Sequence, residues 1–158
     1  MAKGQRLNKP GFQPSLKGRA LRLLSQREHS RAELERKLAP HEEEPGELAK
    51  ALDELQAKDF INDGRAIESV VHRRSSKLGA ARVKQELAAK GLSGEAVAEA
   101  MESLRETELD RALGVWRKKF GSPATDANER AKQIRFLLTR GFNAEIVRKV
   151  VQGADEDF

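Results

Sequence analysis

Lys90-Gly91-Leu92-Ser93 recurs as Arg140-Gly141-Phe142-Asn143, with the two glycines 50 positions apart. The surroundings recur with them. Ahead of each glycine lies a helix-patterned segment ending in Leu87 or Leu137. Behind each comes a helix start and a further apolar stripe, Val97/Ala100/Met101 or Val147/Val150/Val151. Glycine lacks a Cβ, so it can take the left-handed conformation in which the last carbonyls of a helix find donors. A fixed internal period sets the architecture before any local assignment does. Here it predicts a tandem array of small helical units, a design that binds other molecules more often than it catalyses.

Working outward from the repeat, the chain divides into five segments. Residues 1–14 contain Gly4, Pro10, Gly11 and Pro14 with little apolar content, and read as a flexible basic arm. Residues 15–62 form a first three-helix repeat. Ser15 can cap a helix with Leu16, Ala20, Leu23 and Leu24 on one face. Ser30 and Glu33 have the spacing of a capping box. After the Pro40–Pro45 break, a third helix carries Leu48, Ala51, Leu52 and Leu55.

Residues 63–106 form the second repeat, capped from Asn62 or Asp63, with Phe60 and Ile61 placed to staple the entry. Ile67/Val70/Val71 mark its first helix and Val83/Leu87 its second. Ser93 is expected to cap its third. Residues 107–152 form the third repeat. Thr107 to Asp110 have capping-box character, and Leu109, Ala112, Leu113, Trp116 and Phe120 fall at helical spacing. Asp126 opens the next helix, with Ala131, Ile134, Leu137 and Leu138 inward, and Asn143 caps the last. Residues 153–158 read as a loose acidic tail. The fold class is all-α: three tandem three-helix repeats, helix-turn-helix-like, in an elongated, curved array.

Composition agrees. The chain is 35% charged, 38% hydrophobic and only 4% aromatic, which describes thin helices without a broad core. Cysteine is absent, which excludes disulfides and thiolate-bound metal. No apolar run approaches the roughly 20 residues of a membrane span, and no signal peptide follows the basic start, so the expected location is the cytoplasm. The net charge of +5 favours an acidic partner. It is concentrated: residues 107–154 hold ten cations against five anions, whereas residues 15–62 hold nine against ten.

Phe60-Ile-Asn-Asp63, then Gly79-Ala-Ala-Arg82, then Glu86-Leu-Ala-Ala-Lys-Gly91 resembles the core signature of the RecX regulatory proteins. In that family a Leu/Ile-Asn-Asp opening, a mid-unit Gly followed by an Arg, and a Leu-x-x-Lys-Gly helix end occur in this order. The flanking triplets look like the family's first and third units, so the similarity covers roughly residues 15–152. The departures are Arg140 in place of a lysine, and the two chain ends. The resemblance implies a bacterial protein that lodges in the helical groove of the RecA–single-stranded-DNA filament. There it would restrain ATP hydrolysis, strand exchange and coprotease activity in recombination and the SOS response. Some members also bind DNA.

Two basic groups are the candidate contact surface for RecA or DNA. Arg117, Lys118 and Lys119 lie between Trp116 and Phe120, so they point outward if those aromatics point in. Lys132, Arg135 and Arg140 on the next helix could extend the face. Such a face attracts phosphates and makes binding salt-dependent, although an ordinary solvated surface accounts for the residues equally well. Arg73, Arg74, Lys77, Arg82 and Lys84 form the second group. Arg82 matches the family's arginine and could grip a carboxylate or phosphate, or pair internally with Glu86.

A helix-turn-helix protein acting directly on single- or double-stranded DNA is the alternative reading. Glu95, Glu99 and Glu102 would repel duplex phosphates, while Arg148 and Lys149 suit them better. Any DNA contact should be mainly to phosphate. His29, His41 and His72 fall in separate segments and are expected to face solvent. No metal-ligand spacing, phosphate loop or nucleophile motif occurs. The expectation is a monomeric regulator, not an enzyme, with no cofactor.

Overall fold

The computed structural model describes residues 13–157, with side chains through Gly153. Most of the N-terminal arm therefore lies outside the described residues. Among those described there are nine α-helices, one 3-10 turn and no strand. They form two compact units, the first ending at Ala66 and the second beginning at Ile67.

The first unit contains α1 (Leu16–Gln26), α2 (Arg31–Leu38), a 3-10 turn (Ala39–His41) and α3 (Glu47–Ala57). The first two starts have side-chain caps. The Ser15 hydroxyl accepts from the Gly18 amide at 3.0 Å. Ser30 and Glu33 complete a reciprocal capping box, which satisfies two amides that have no partner within the helix. Leu16, Ala20, Leu34, Leu38, Leu48, Leu52, Leu55 and Ile61 form the core. A fully buried leucine contributes roughly 1.5–3 kcal/mol, so these side chains are the main apolar contribution holding the three short helices together.

Two expectations fail in this unit. Phe60 is 48% exposed and only Ile61 enters the core. Asp59, at φ 68°, turns the chain just before this pair, and the next helix is capped by Asn62, whose Oδ1 accepts from the Arg65 amide. His29 is 1% exposed, whereas a surface position was expected. Its Nδ1 lies 3.0 Å from the Arg27 carbonyl and its Nε2 3.4 Å from the Lys37 Nζ. Burial pushes the imidazole below its ordinary pKa. The Arg27 and Lys37 charges add to this, against the Arg27 carbonyl and Glu33.

The unit boundary falls within α4 (Asp63–Arg74). The second unit continues with α5 (Ala80–Ala89), α6 (Glu95–Glu106), α7 (Glu108–Lys119), α8 (Ala127–Thr139) and α9 (Ala144–Asp157). Its main core gathers Ala112, Trp116, Leu137, Phe142, Val147, Val150 and Val151. Trp116 is 1% exposed, and its indole N–H donates to Gln133 Oε1 at 2.9 Å. That bond removes the cost of burying the indole's polar edge.

Four local expectations are corrected here. Ser93 does not cap α6. The cap is Gly94, at φ 95°, so the helix starts one residue later and no side chain bonds its first amides. Thr107 makes no capping bond either. It is the sole link between α6 and α7, and its near-helical backbone (φ −109°, ψ 7°) is not the extended geometry a side-chain cap requires. Leu109 and Leu138 are 39% and 42% exposed. On α7 the inward row is Glu108, Ala112 and Trp116, and on α8 Leu137 takes the core position beside Leu138. Finally, α9 continues through Gly153 to Asp157. One glycine costs only about 1 kcal/mol in a helix, and no proline follows to stop it.

A buried polar joint ties the two helix triplets of this unit together. Glu108 is 3% exposed. Its Oε1 accepts from the Ala80 amide at 3.1 Å and its Oε2 from the Asn143 amide at 2.8 Å. One carboxylate thus caps the starts of both α5 and α9, where helix dipoles favour negative charge. Three residues along α7, Arg111 donates to the carbonyls of Ser75, Leu78 and Leu104, and its guanidinium lies 3.7 Å from Glu108. The acid collects helix starts and the arginine collects helix ends. Beside them the Gly79 amide donates to the Arg140 carbonyl at 2.8 Å. The backbones approach so closely that a methyl group at Gly79 would collide with the Gly141 carbonyl.

Candidate basic interface

All eleven candidate cations fall in the second unit. Arg117, Lys118 and Lys119 are exposed on the last turn of α7, because Trp116 and the half-buried Phe120 occupy its inward side. Cations are also favoured there by the helix dipole. Lys132 and Arg135 are exposed on α8. The structure brings α7 and α8 together through Phe136. Phe120 meets that ring edge-on at 5.5 Å between centroids. Lys119 Nζ lies 5.3 Å and the Arg140 guanidinium carbon 4.6 Å from its centre. Each cation–π contact contributes about 0.5–1 kcal/mol at an exposed site, which biases both side chains toward one ring.

Arg82 joins this region from the other candidate group. Its guanidinium donates to the Thr139 carbonyl at 2.7 Å, and its side chain packs where a methyl group at Gly141 would have to go. The proposed partner Glu86 is taken instead by Arg74 at 2.9 Å and Arg73 at 3.7 Å. Those two arginines therefore meet a carboxylate, whereas Lys77 and Lys84 form no ion pair among the described residues. The glycine–arginine signature is thus an interlock between two triplets.

Lys84 also lines a cleft of about 450 Å³, together with Ala80, Met101, Arg105, Ile146 and Lys149. Among the described residues Arg105 pairs with Glu102 alone, at 3.9 Å. Sequence reasoning missed Arg105 as a site residue and weighed Lys149 only as a duplex reader. It also missed Phe136 and the Glu108–Arg111 pair. Charged residues at helical spacing carry no mark of burial, so the sequence holds no signal for that pair. Among the described residues no three His, Asp or Glu side chains converge as a metal would require. No described helix is long and apolar enough to cross a membrane.

Comparison with known proteins matches three family models in order. They are the first three-helix domain of RecX over residues 17–55, the second over 62–101 and the third over 106–151. The chain is 51% identical to Regulatory protein RecX of Leptothrix cholodnii, covering 95% of this chain and 94% of that one. It is 50% identical to Regulatory protein RecX of Ralstonia nicotianae, covering 89% of each. The crystal structure of RecX from Lactobacillus salivarius superposes with a TM-score of 0.73 at 23% identity, over 89% of this chain and 94% of that one. That last likeness speaks for the fold alone. With three domain matches in register and half its residues shared with full-length relatives, the chain belongs to the RecX family of regulatory proteins, which are not enzymes.

Proposed function

We propose that this protein binds the filament RecA forms on single-stranded DNA, within its helical groove, and restrains ATP hydrolysis, strand exchange and coprotease activity in recombination and the SOS response. Family membership supports RecA as the partner. The observation that carries the mode of binding is the exposed basic face of the second unit, with Lys119 and Arg140 held at Phe136. A nucleoprotein filament is polyanionic, and cations fixed in place lose less entropy on meeting phosphates or carboxylates. The protein acts in the cytoplasm, as a monomer.

Direct action on duplex DNA is the second reading, and the exposed Arg148 and Lys149 of α9 favour it. Exposed Glu95, Glu99 and Glu102 on α6 oppose it. Titration against RecA assembled on single-stranded DNA, and separately against bare single and double strands, at several salt concentrations, distinguishes the two. Preference for the filament at every salt concentration is expected. Sequence-dependent affinity for bare duplex would replace the proposal with the second reading.

A further inference from the structure

Charge totals make the first unit look neutral, yet its charges are sorted. A cavity of about 210 Å³ opens between α1 and the end of α2, lined by Arg19, Arg22, Leu23, Lys37, Leu38 and His41 among its residues, and no carboxylate lines it. Six acids of this unit pair elsewhere. Glu54 pairs with Lys17, Glu33 with Arg27, Glu35 and Asp53 with Arg31, and Glu28 and Asp59 with Arg65. Arg19, Arg22 and His41 form no ion pair among the described residues. Glu42, Glu43 and Glu47 line the adjoining cavity that shares Arg19 and His41. Glu42 and Glu47 turn carboxylate oxygens to backbone amides, Glu42 to Leu48 and Glu47 to Glu43 and Glu44.

The α2 dipole accounts for Lys37, in that helix's last turn. It does not account for Arg19 and Arg22, which lie one turn apart in the middle of α1. Gathering like charges around one hollow costs free energy unless an anion relieves it. The hollow is smaller than the roughly 300–1,000 Å³ of drug-sized pockets, so it suits a single anionic group. Two guanidinium forks match the oxygens of a phosphate, and Leu23 and Leu38 offer an apolar wall to an attached sugar.

We propose that this cavity binds a backbone phosphate of single-stranded nucleic acid, giving the first unit an anion site of its own. The site stands apart from the filament reading and is tested without RecA. The full-length protein, isotope-labelled for arginine side-chain NMR, is titrated with oligothymidylate, with inorganic phosphate and with polyglutamate. Oligothymidylate should move the Arg19 and Arg22 signals at the lowest concentration. In fluorescence anisotropy, Arg19→Gln with Arg22→Gln should lower the slope of log affinity against log salt by about 0.7, the value for one single-strand phosphate. Lys37 is left intact because it contacts buried His29, and an unchanged circular dichroism melt verifies the fold. Arginine signals unmoved by oligothymidylate, or moved as readily by free phosphate or polyglutamate, would overturn the proposal, as would an unchanged slope.

Discussion

Gly91 and Gly141 occupy matching points of the 50-residue repeat and have the same local geometry. Both are left-handed, at φ 75° and 91°. In both the next amide reaches back five residues, Leu92 to the Leu87 carbonyl at 2.9 Å and Phe142 to that of Leu137 at 3.3 Å, and both of those apolar residues are buried. Beyond the turn the two differ. Gly91 is exposed and serves as a helix stop. Gly141 packs against Arg82, follows the Arg140 carbonyl that receives the Gly79 amide, and precedes the Asn143 amide bound by Glu108. A repeated sequence thus specifies a repeated backbone, while the tertiary task of each copy depends on what reaches it from elsewhere.

The largest predicted effect tests what is unique to the second copy. Glu108→Ala leaves two helix-start amides without their acceptor and the half-buried Arg111 charge without its counter-charge, and should destabilise the second unit by about 3–5 kcal/mol in chemical denaturation. A loss below about 1 kcal/mol would mean the joint does not hold the triplets together. The next comparison makes one substitution at both glycines. Gly91→Ala should cost about 1–2 kcal/mol, the penalty of a left-handed alanine. Gly141→Ala adds a clash within 2.7 Å of the Arg82 backbone nitrogen, which raises the loss to about 3 kcal/mol. Equal losses would remove the distinction between the two turns.

Arg82→Gln should cost about 1 kcal/mol through the lost bond to Thr139, whereas a residue serving only as a surface cation would leave the melt unchanged. The smallest effect is the control in the first unit. His29 has its pKa lowered when folded, so its contribution is fully present above the unfolded value near 6.5 and is lost as pH falls from there through the folded value. Over that window His29→Gln should flatten the pH dependence of stability. An unaltered profile would show that the buried imidazole is not its source.

The helix order, Ser15, Ser30 and Asp126 as caps and the glycine stops were legible because each is decided by residues within one turn of itself, and buried Trp116 because it sits in an apolar stripe at helical spacing. The errors share a cause. Ser93 and Thr107 fit a capping pattern locally, but Gly94 and the one-residue link between α6 and α7 decide the backbone there. Leu109 looked inward because it is apolar, whereas Glu108 holds the inward position through bonds to residues 28 and 35 positions away. The candidate surface was legible where a buried aromatic fixed the helix face, as at Arg117 to Lys119. It was illegible where sequence-distant groups meet, as at Arg82 with Thr139, Lys119 with Phe136, and the Arg19–His41 hollow.

The central functional claim is that the basic face of the second unit engages the RecA filament. The most direct measurement is inhibition of single-stranded-DNA-dependent RecA ATPase by Arg117→Glu, Lys118→Glu, Lys119→Glu protein, compared with wild type across a salt series. All three residues are exposed, so the melt should hold within about 1 kcal/mol. Half-inhibition should require at least about tenfold more protein, with a weaker dependence on salt. Wild-type inhibition by a variant with an intact melt would contradict the claim.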